Sequence, residues 1–123
     1  MKQKIDPKEI HTVFRRTPLE VRKRQGLNIL KKHEGRIPII LGLSQNSQLI
    51  IPKTKLLAKK EIKVREFLLK VHSNSKIPKD KTLFLYSKKK LLNPQMVLNK
   101  IYEKYKGDDG FLYLTLSEMS SLG

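Results

Sequence analysis

Two apolar periods alternate along this chain, and their order restricts the fold more than any other feature of the sequence. Strand-like runs occur at Arg36-Ile-Pro-Ile-Ile-Leu-Gly-Leu43, Lys55-Leu-Leu-Ala58, Thr82-Leu-Phe-Leu-Tyr86 and Phe111-Leu-Tyr-Leu-Thr-Leu116. Between and before them, apolar residues recur at helical spacing. Asp6 as an N-cap, Pro7 at the first helical position and Ile10, Val13 and Phe14 predict a short first helix. Thr17-Pro18 restarts the pattern, with Thr17 as cap, Glu20 closing a capping box, and Val21, Leu27 and Leu30 among bases. Gly26 weakens this second helix by about 1 kcal/mol relative to Ala, and Gly35 lies just past its end. Ile62, Val64, Phe67, Leu68 and Val71 predict a third helix ending near Ser73-Asn-Ser75. Asn93-Pro94 opens a fourth, with Met96, Val97, Ile101 and Tyr105 as its apolar face. Pro38 has no amide to donate, which places it at a sheet edge or an irregular point. Ser44-Gln-Asn-Ser47 reads as loop and Gly107-Asp-Asp-Gly110 as a turn.

The resulting order is helix, helix, strand, strand, helix, strand, helix, strand. With the first two helices set aside, this is the order of an α+β, ubiquitin-like β-grasp: a four-stranded mixed sheet with helices on one face. The 123 residues suit one domain. Within it we expect an N-terminal helical extension (1–33), a core (34–116) and a mobile tail (117–123). Leu27, Ile40, Leu57, Phe67, Leu83, Leu85, Ile101, Leu112 and Leu114 are expected to pack. No cysteine is present, so no disulfide or thiolate zinc site staples the fold. No stretch approaches the roughly 20 apolar residues that span a bilayer.

Lys and Arg number 27 against 11 acids, for a net charge of +16. Such a balance attracts anionic partners: nucleic acid, acidic peptide segments or a negative membrane leaflet. The bases interleave with regular apolar positions, as on the solvated faces of a folded domain. The segment from Gly107 onward departs from this, with three acids and no base. His11, His33 and His72 are scattered without metal-ligand spacing, and no serine or threonine accompanies a recognisable base. Neither catalysis nor a metal site is therefore expected.

Several ordered segments carry a family likeness: Pro18-Leu-Glu-Val-Arg-Lys-Arg24, Gly35-Arg-Ile-Pro-Ile-Ile40, Lys55-Leu-Leu, Phe67-Leu-Leu, Ile77-Pro-Lys-Asp-Lys-Thr-Leu-Phe-Leu, Ile101-Tyr-Glu-Lys-Tyr-Lys and Asp109-Gly-Phe-Leu-Tyr. Together they resemble the GABARAP and light-chain-three family of ubiquitin-like autophagy modifiers. The resemblance implies conjugation of Gly123 to phosphatidylethanolamine, with no other cofactor. A residue without Cβ suits that role, because a thin tail can enter a narrow enzyme cleft and expose its carboxyl carbon. The implied partners are an activating and a conjugating enzyme, a processing and deconjugating cysteine protease, receptor and cargo peptides, and a membrane reached through the lipid anchor. The implied locations are the cytoplasm and, after lipidation, the autophagosome membrane.

The same resemblance implies a groove along the second strand for an extended segment with an aromatic and then an aliphatic anchor flanked by acids. Ile29, Pro38, Ile40, Lys55, Leu57 and Phe111 would form the aromatic-anchor pocket, with Gln25 at its rim. Leu56, Ala58, Ile62 and Phe67 would form the aliphatic one, and Arg36 and Lys53 would pair with the ligand's acids. The chain departs from the family pattern at Lys59, usually proline, at Lys70, usually aliphatic, and at Gln25, usually an acid. A basic nucleic-acid-binding module remains an alternative, since Lys88-Lys-Lys90 lies near Phe84 and Tyr86, although no base-reading motif appears. A microtubule or scaffold adaptor that is not conjugated is a third reading.

Overall fold

The computed structural model describes residues 5–120. The elements are α1 (Ile10–Arg15), α2 (Leu19–Lys32), β1 (Arg36–Leu43), β2 (Lys55–Lys59), α3 (Val64–Ser73), β3 (Phe84–Ser87), β4 (Lys90–Leu91), α4 (Leu98–Tyr105) and β5 (Leu112–Ser117). The sheet is mixed, in the order β2-β1-β5-β3-β4, with β1 parallel to β5 and the other pairs antiparallel. It therefore has five strands where the sequence suggested four. The added strand, β4, turns back from β3 through Lys88 and Lys89, whose φ values of 49° and 66° lie in the left-handed region. Two such residues in succession make the tight hairpin turn that Asn-Gly usually supplies, so the lysine run hid it.

The strand period divides the core between the two faces of the sheet. Ile37, Ile39, Leu41, Leu112, Leu114 and Leu116 point to one side and pack with Val64, Phe67 and Val71 of α3 and Leu98 and Ile101 of α4. Ile40, Phe111 and Tyr113 point to the other and pack with Ile10 and Phe14 of α1 and Ile29 of α2. The N-terminal helices thus cover the face that a bare β-grasp leaves open. Leu27 does not join either cluster; it is 58% exposed.

Helix starts are displaced from the sequence reading. Asp6 holds an Asx-type turn, accepting the Lys8 N–H at 2.9 Å, and α1 begins only at Ile10. The N-cap of α2 is Pro18 and its side of the cap has no side-chain hydrogen bond, so the Thr17–Glu20 box does not form. Instead the Thr17 carbonyl accepts the Arg22 Nε–H at 2.9 Å. Asn93-Pro94 likewise forms a turn, with α4 starting after Val97.

At its other end the chain is tied down further than the expected tail. Ser117 ends β5 and is fully buried. The Glu118 carboxylate accepts the Gln48 N–H at 2.9 Å, and Tyr86 Oη donates to the Met119 carbonyl at 2.9 Å. Gly123 lies outside the described residues.

Candidate functional site

β2 is an edge strand, and among the described residues no strand pairs with its outer backbone. Which groups face outward follows from its pairing with β1. Leu41 donates its amide to Thr54, and Lys60 donates to Gly35. With the Ile37↔Ala58 and Ile39↔Leu56 register, strand alternation turns the even-numbered β2 residues toward β1. The N–H and C=O groups of Lys55 and Leu57 therefore point away from the sheet. The opposite edge, β4, is two exposed residues long and bears Lys90, a length and charge that blunt strand pairing.

Pro38 fits the same logic. Its nitrogen faces the β5 side of β1, and the pairing of β1 with β5 starts only at Ile39. The missing donor falls where no partner waits, so proline costs the ladder nothing there.

Two cavities flank β2. One, of about 370 Å³, is lined by Phe14, Gln25, Asn28, Ile29, His33, Pro38, Ile39, Lys55, Leu56, Leu57 and Phe111. Lys55 Nζ lies 5.2 Å from the centre of the Phe14 ring, a cation–π contact that fixes one wall. The other, of about 530 Å³, is lined by β1 and β2 residues, by Ile51, Pro52 and Lys53 of the preceding loop, by Ile62, and by Phe67, Lys70, Val71, Asn74 and Ser75 on and after α3.

The structure thus gathers Gln25, Ile29, Pro38, Lys55, Leu57 and Phe111 around the first cavity, as the resemblance implies. Leu56, Ala58, Ile62 and Phe67 line the second, and Arg36 and Lys53 stand on the same wall. Ile40 does not reach either opening: it is fully buried beneath the first, against α1. Leu57, expected to pack in the core, is 39% exposed on the rim. Phe14, His33, Ile51 and Val71 complete the walls, and Ile51 carried no helix or strand period that marked it.

A buried charge network lies next to Phe111 of the first cavity. Asp109, 3% exposed, accepts Arg22 Nη1 at 2.7 Å, the Phe111 N–H at 2.9 Å and the Tyr113 hydroxyl. This pins α2 to the turn that leads into Phe111. Burial, reinforced by the hydrogen bond to Asp109, pushes the Tyr113 hydroxyl up to about 12. Arg15 lies over the same ring at 4.1 Å. His11 donates through Nε2–H to the Ile40 carbonyl at 3.0 Å, and burial lowers its pKa below the ordinary 6.5. Among the described residues, no three His, Asp or Glu side chains gather as metal ligands.

A family model described as "Autophagy protein Atg8 ubiquitin like" matches residues 21–123. The chain belongs to the Atg8 family. Curated relatives agree: it is 32% identical to autophagy-related protein 8 of Coccidioides immitis, over 86% of this chain and 92% of that one. It is 33% identical to autophagy-related protein 8a of Arabidopsis thaliana, over 86% and 88%. Among solved structures, Trypanosoma brucei ATG8 superposes with a TM-score of 0.80 at 26% identity, covering 85% of this chain and 91% of that one. Plasmodium falciparum Atg8, solved in complex with a P. falciparum Atg3 peptide, superposes with a TM-score of 0.73 at 28% identity, covering 86% and 94%. The Atg8 fold accounts for the α+β architecture, and this chain is a ubiquitin-like protein of the autophagy family.

Proposed function

We propose that this chain is a ubiquitin-like modifier, itself without catalytic activity, that is joined through the Gly123 carboxyl group to phosphatidylethanolamine and receives acidic-aromatic segments of receptors and cargo along β2. The observation that carries the groove reading is the open edge of β2 between two cavities. Lys55 and Leu57 line the first, on the α1 and α2 side, whereas Ala58 lies with α3 at the second. An added strand alternates its side chains between the faces, so anchors an odd number of residues apart fill both cavities. Backbone groups of Lys55 and Leu57 would supply affinity and the cavities specificity. The P. falciparum relative seen with an Atg3 peptide supports a segment of a conjugating enzyme as one occupant.

For conjugation, an activating enzyme would form the acyl adenylate of Gly123, enzyme thiols would carry it as thioesters, and the lipid amine would displace the last thiol to give an amide. A cysteine protease would process the terminus and reverse the conjugate. No helix among the described residues is long and apolar enough to cross a membrane. Attachment would therefore depend on the two acyl chains, each buried methylene contributing about 0.8 kcal/mol, and would move the protein from cytoplasm to autophagosome membrane. Reconstitution with the activating and conjugating enzymes and phosphatidylethanolamine vesicles, read by intact-mass spectrometry, tests this. The expected result is an adduct of one lipid less one water that disappears on deletion of Gly123. Unmodified wild-type protein beside a conjugated control modifier would contradict it.

A further inference from the structure

The segment that follows β5 is bound where a plain strand end would be free. After Ser117, the last residue of β5 paired with β3, the residues Glu118, Met119 and Ser120 run on along the domain and form part of the wall of another cavity, of about 950 Å³, beside α1 and Phe84. Two contacts hold them, one from the loop after β1 and one from β3. Glu118 accepts the Gln48 N–H at 2.9 Å, and Tyr86 Oη donates to the Met119 carbonyl at 2.9 Å. Burial alone would raise the Glu118 carboxyl, but the amides of Gln48 and of Glu118 itself outweigh it and hold the group below its ordinary value. The first contact is therefore charge-assisted at neutral pH. Tyr86 is 3% exposed, and its backbone pairs with Thr115 of β5 and Leu91 of β4. Neither contact belongs to the sheet ladder, and none of the four residues lines a cavity beside β2.

These contacts set how much chain can leave the domain. An extended chain spans at most about 3.5 Å per residue. Held at Met119, the four residues from Ser120 to Gly123 reach about 14 Å; freed back to Ser117, the six residues from Glu118 reach about 21 Å. A cleft that takes the end of the chain also needs bare backbone in front of it, and the Met119 carbonyl is occupied while Tyr86 holds it. Resting on the conjugation reading above, we propose that Tyr86 and Glu118 form a latch: they are positioning residues that keep the tail on the domain and release it before Gly123 is activated. An enzyme then takes the tail only through its released fraction, so the latch slows activation without touching the reacting carboxyl group. Each of the two hydrogen bonds shifts that fraction by a factor of about five, small enough for the latch to open when an enzyme binds.

The test follows activation of the full chain by the activating enzyme at concentrations well below saturation, where the rate is proportional to the released fraction. Backbone relaxation of Met119 and Ser120 and amide exchange of Gln48 read the latch separately. Tyr86→Phe removes only the hydroxyl, and Glu118→Ala removes the carboxylate. Each is expected to raise the rate about fivefold, and the double substitution about 25-fold. Met119 and Ser120 become more mobile in both, and the Gln48 amide exchanges faster in Glu118→Ala. Lys100→Gln, an exposed change on α4, leaves all three readouts at their wild-type values. Rates in the latch variants equal to or below wild type overturn the proposal while leaving the conjugation reading intact, and so does a faster rate with tail motion unchanged. A wild-type chain that the activating enzyme does not adenylate, beside a control modifier that it does, overturns the conjugation reading and the latch with it.

Discussion

Replacing Gly26 by Ala separates helix propensity from packing, because the two predict opposite signs. In an isolated helix the change is stabilising by about 1 kcal/mol. In the folded chain a Cβ on Gly26 would stand 2.6 Å from the Asp109 carbonyl oxygen and 3.5 Å from the Phe111 ring. Ordinary contact begins near 3.4 Å, so α2 and the 107–110 turn must part by about 0.8 Å. The obstructing atom is backbone, and its residue is pinned by Arg22, Tyr113 and the Phe111 amide, so it cannot swing aside. Overpacking costs about 1–3 kcal/mol, and against backbone that cannot move aside about 2–3; the propensity gain of about 1 kcal/mol offsets part of it. The net expectation is a loss of about 1 to 2 kcal/mol, or about 4 to 8 °C in Tm for a domain of this size. Urea and thermal unfolding followed by circular dichroism measure it, with a peptide spanning 19–32 as the comparison. The peptide should gain helicity while the domain loses stability. Equal or greater stability of the substituted domain would refute the packing argument.

Asp109→Ala strips the carboxylate partner from a guanidinium only 14% exposed and leaves the Tyr113 O–H and the Phe111 N–H without their acceptor. A loss of about 3 kcal/mol is expected; a change below about 1 kcal/mol by urea unfolding would show that the network is not structural. His11 makes α1 docking acid-sensitive. Burial holds its folded pKa below the 6.5 of the unfolded chain, so its contribution is complete above pH 6.5 and is lost as pH falls below it. Unfolding midpoints should decline from pH 7 to pH 5, and His11→Gln should flatten that dependence; an unchanged slope would contradict the assignment.

The sequence made the sheet legible where alternation was strong. Ile37, Ile39 and Ile40 in β1 and the leucines of β5 announce two buried faces, and β1 begins and ends where the apolar run does. β4 was hidden because two residues carry no period and its turn rests on lysines at positive φ. Helix starts were misplaced where Asp6, Thr17 and Asn93 spend their polar groups on turns or on Arg22 instead of caps. Gly26 read as a weakness until the Asp109 carbonyl was seen against it. For the groove, a resemblance supplied the residue set and the open edge supplies a physical reason for it. Lys59 and Lys70, the two departures that the resemblance set at the second pocket, both line that cavity. Ile40 shows the converse: expected in a pocket wall, it is fully buried against α1 and lines neither cavity.

The most direct test of the groove is residue-by-residue amide exchange on the full chain with and without an acidic peptide bearing an aromatic and an aliphatic anchor. Strand addition predicts that the outward amides of Lys55 and Leu57 gain protection on binding, while those of Leu56 and Ala58, already directed at β1, change little. Protection appearing instead at Lys90 and Leu91, on the opposite edge, or confined to α1 with Lys55 and Leu57 unaltered, would contradict it.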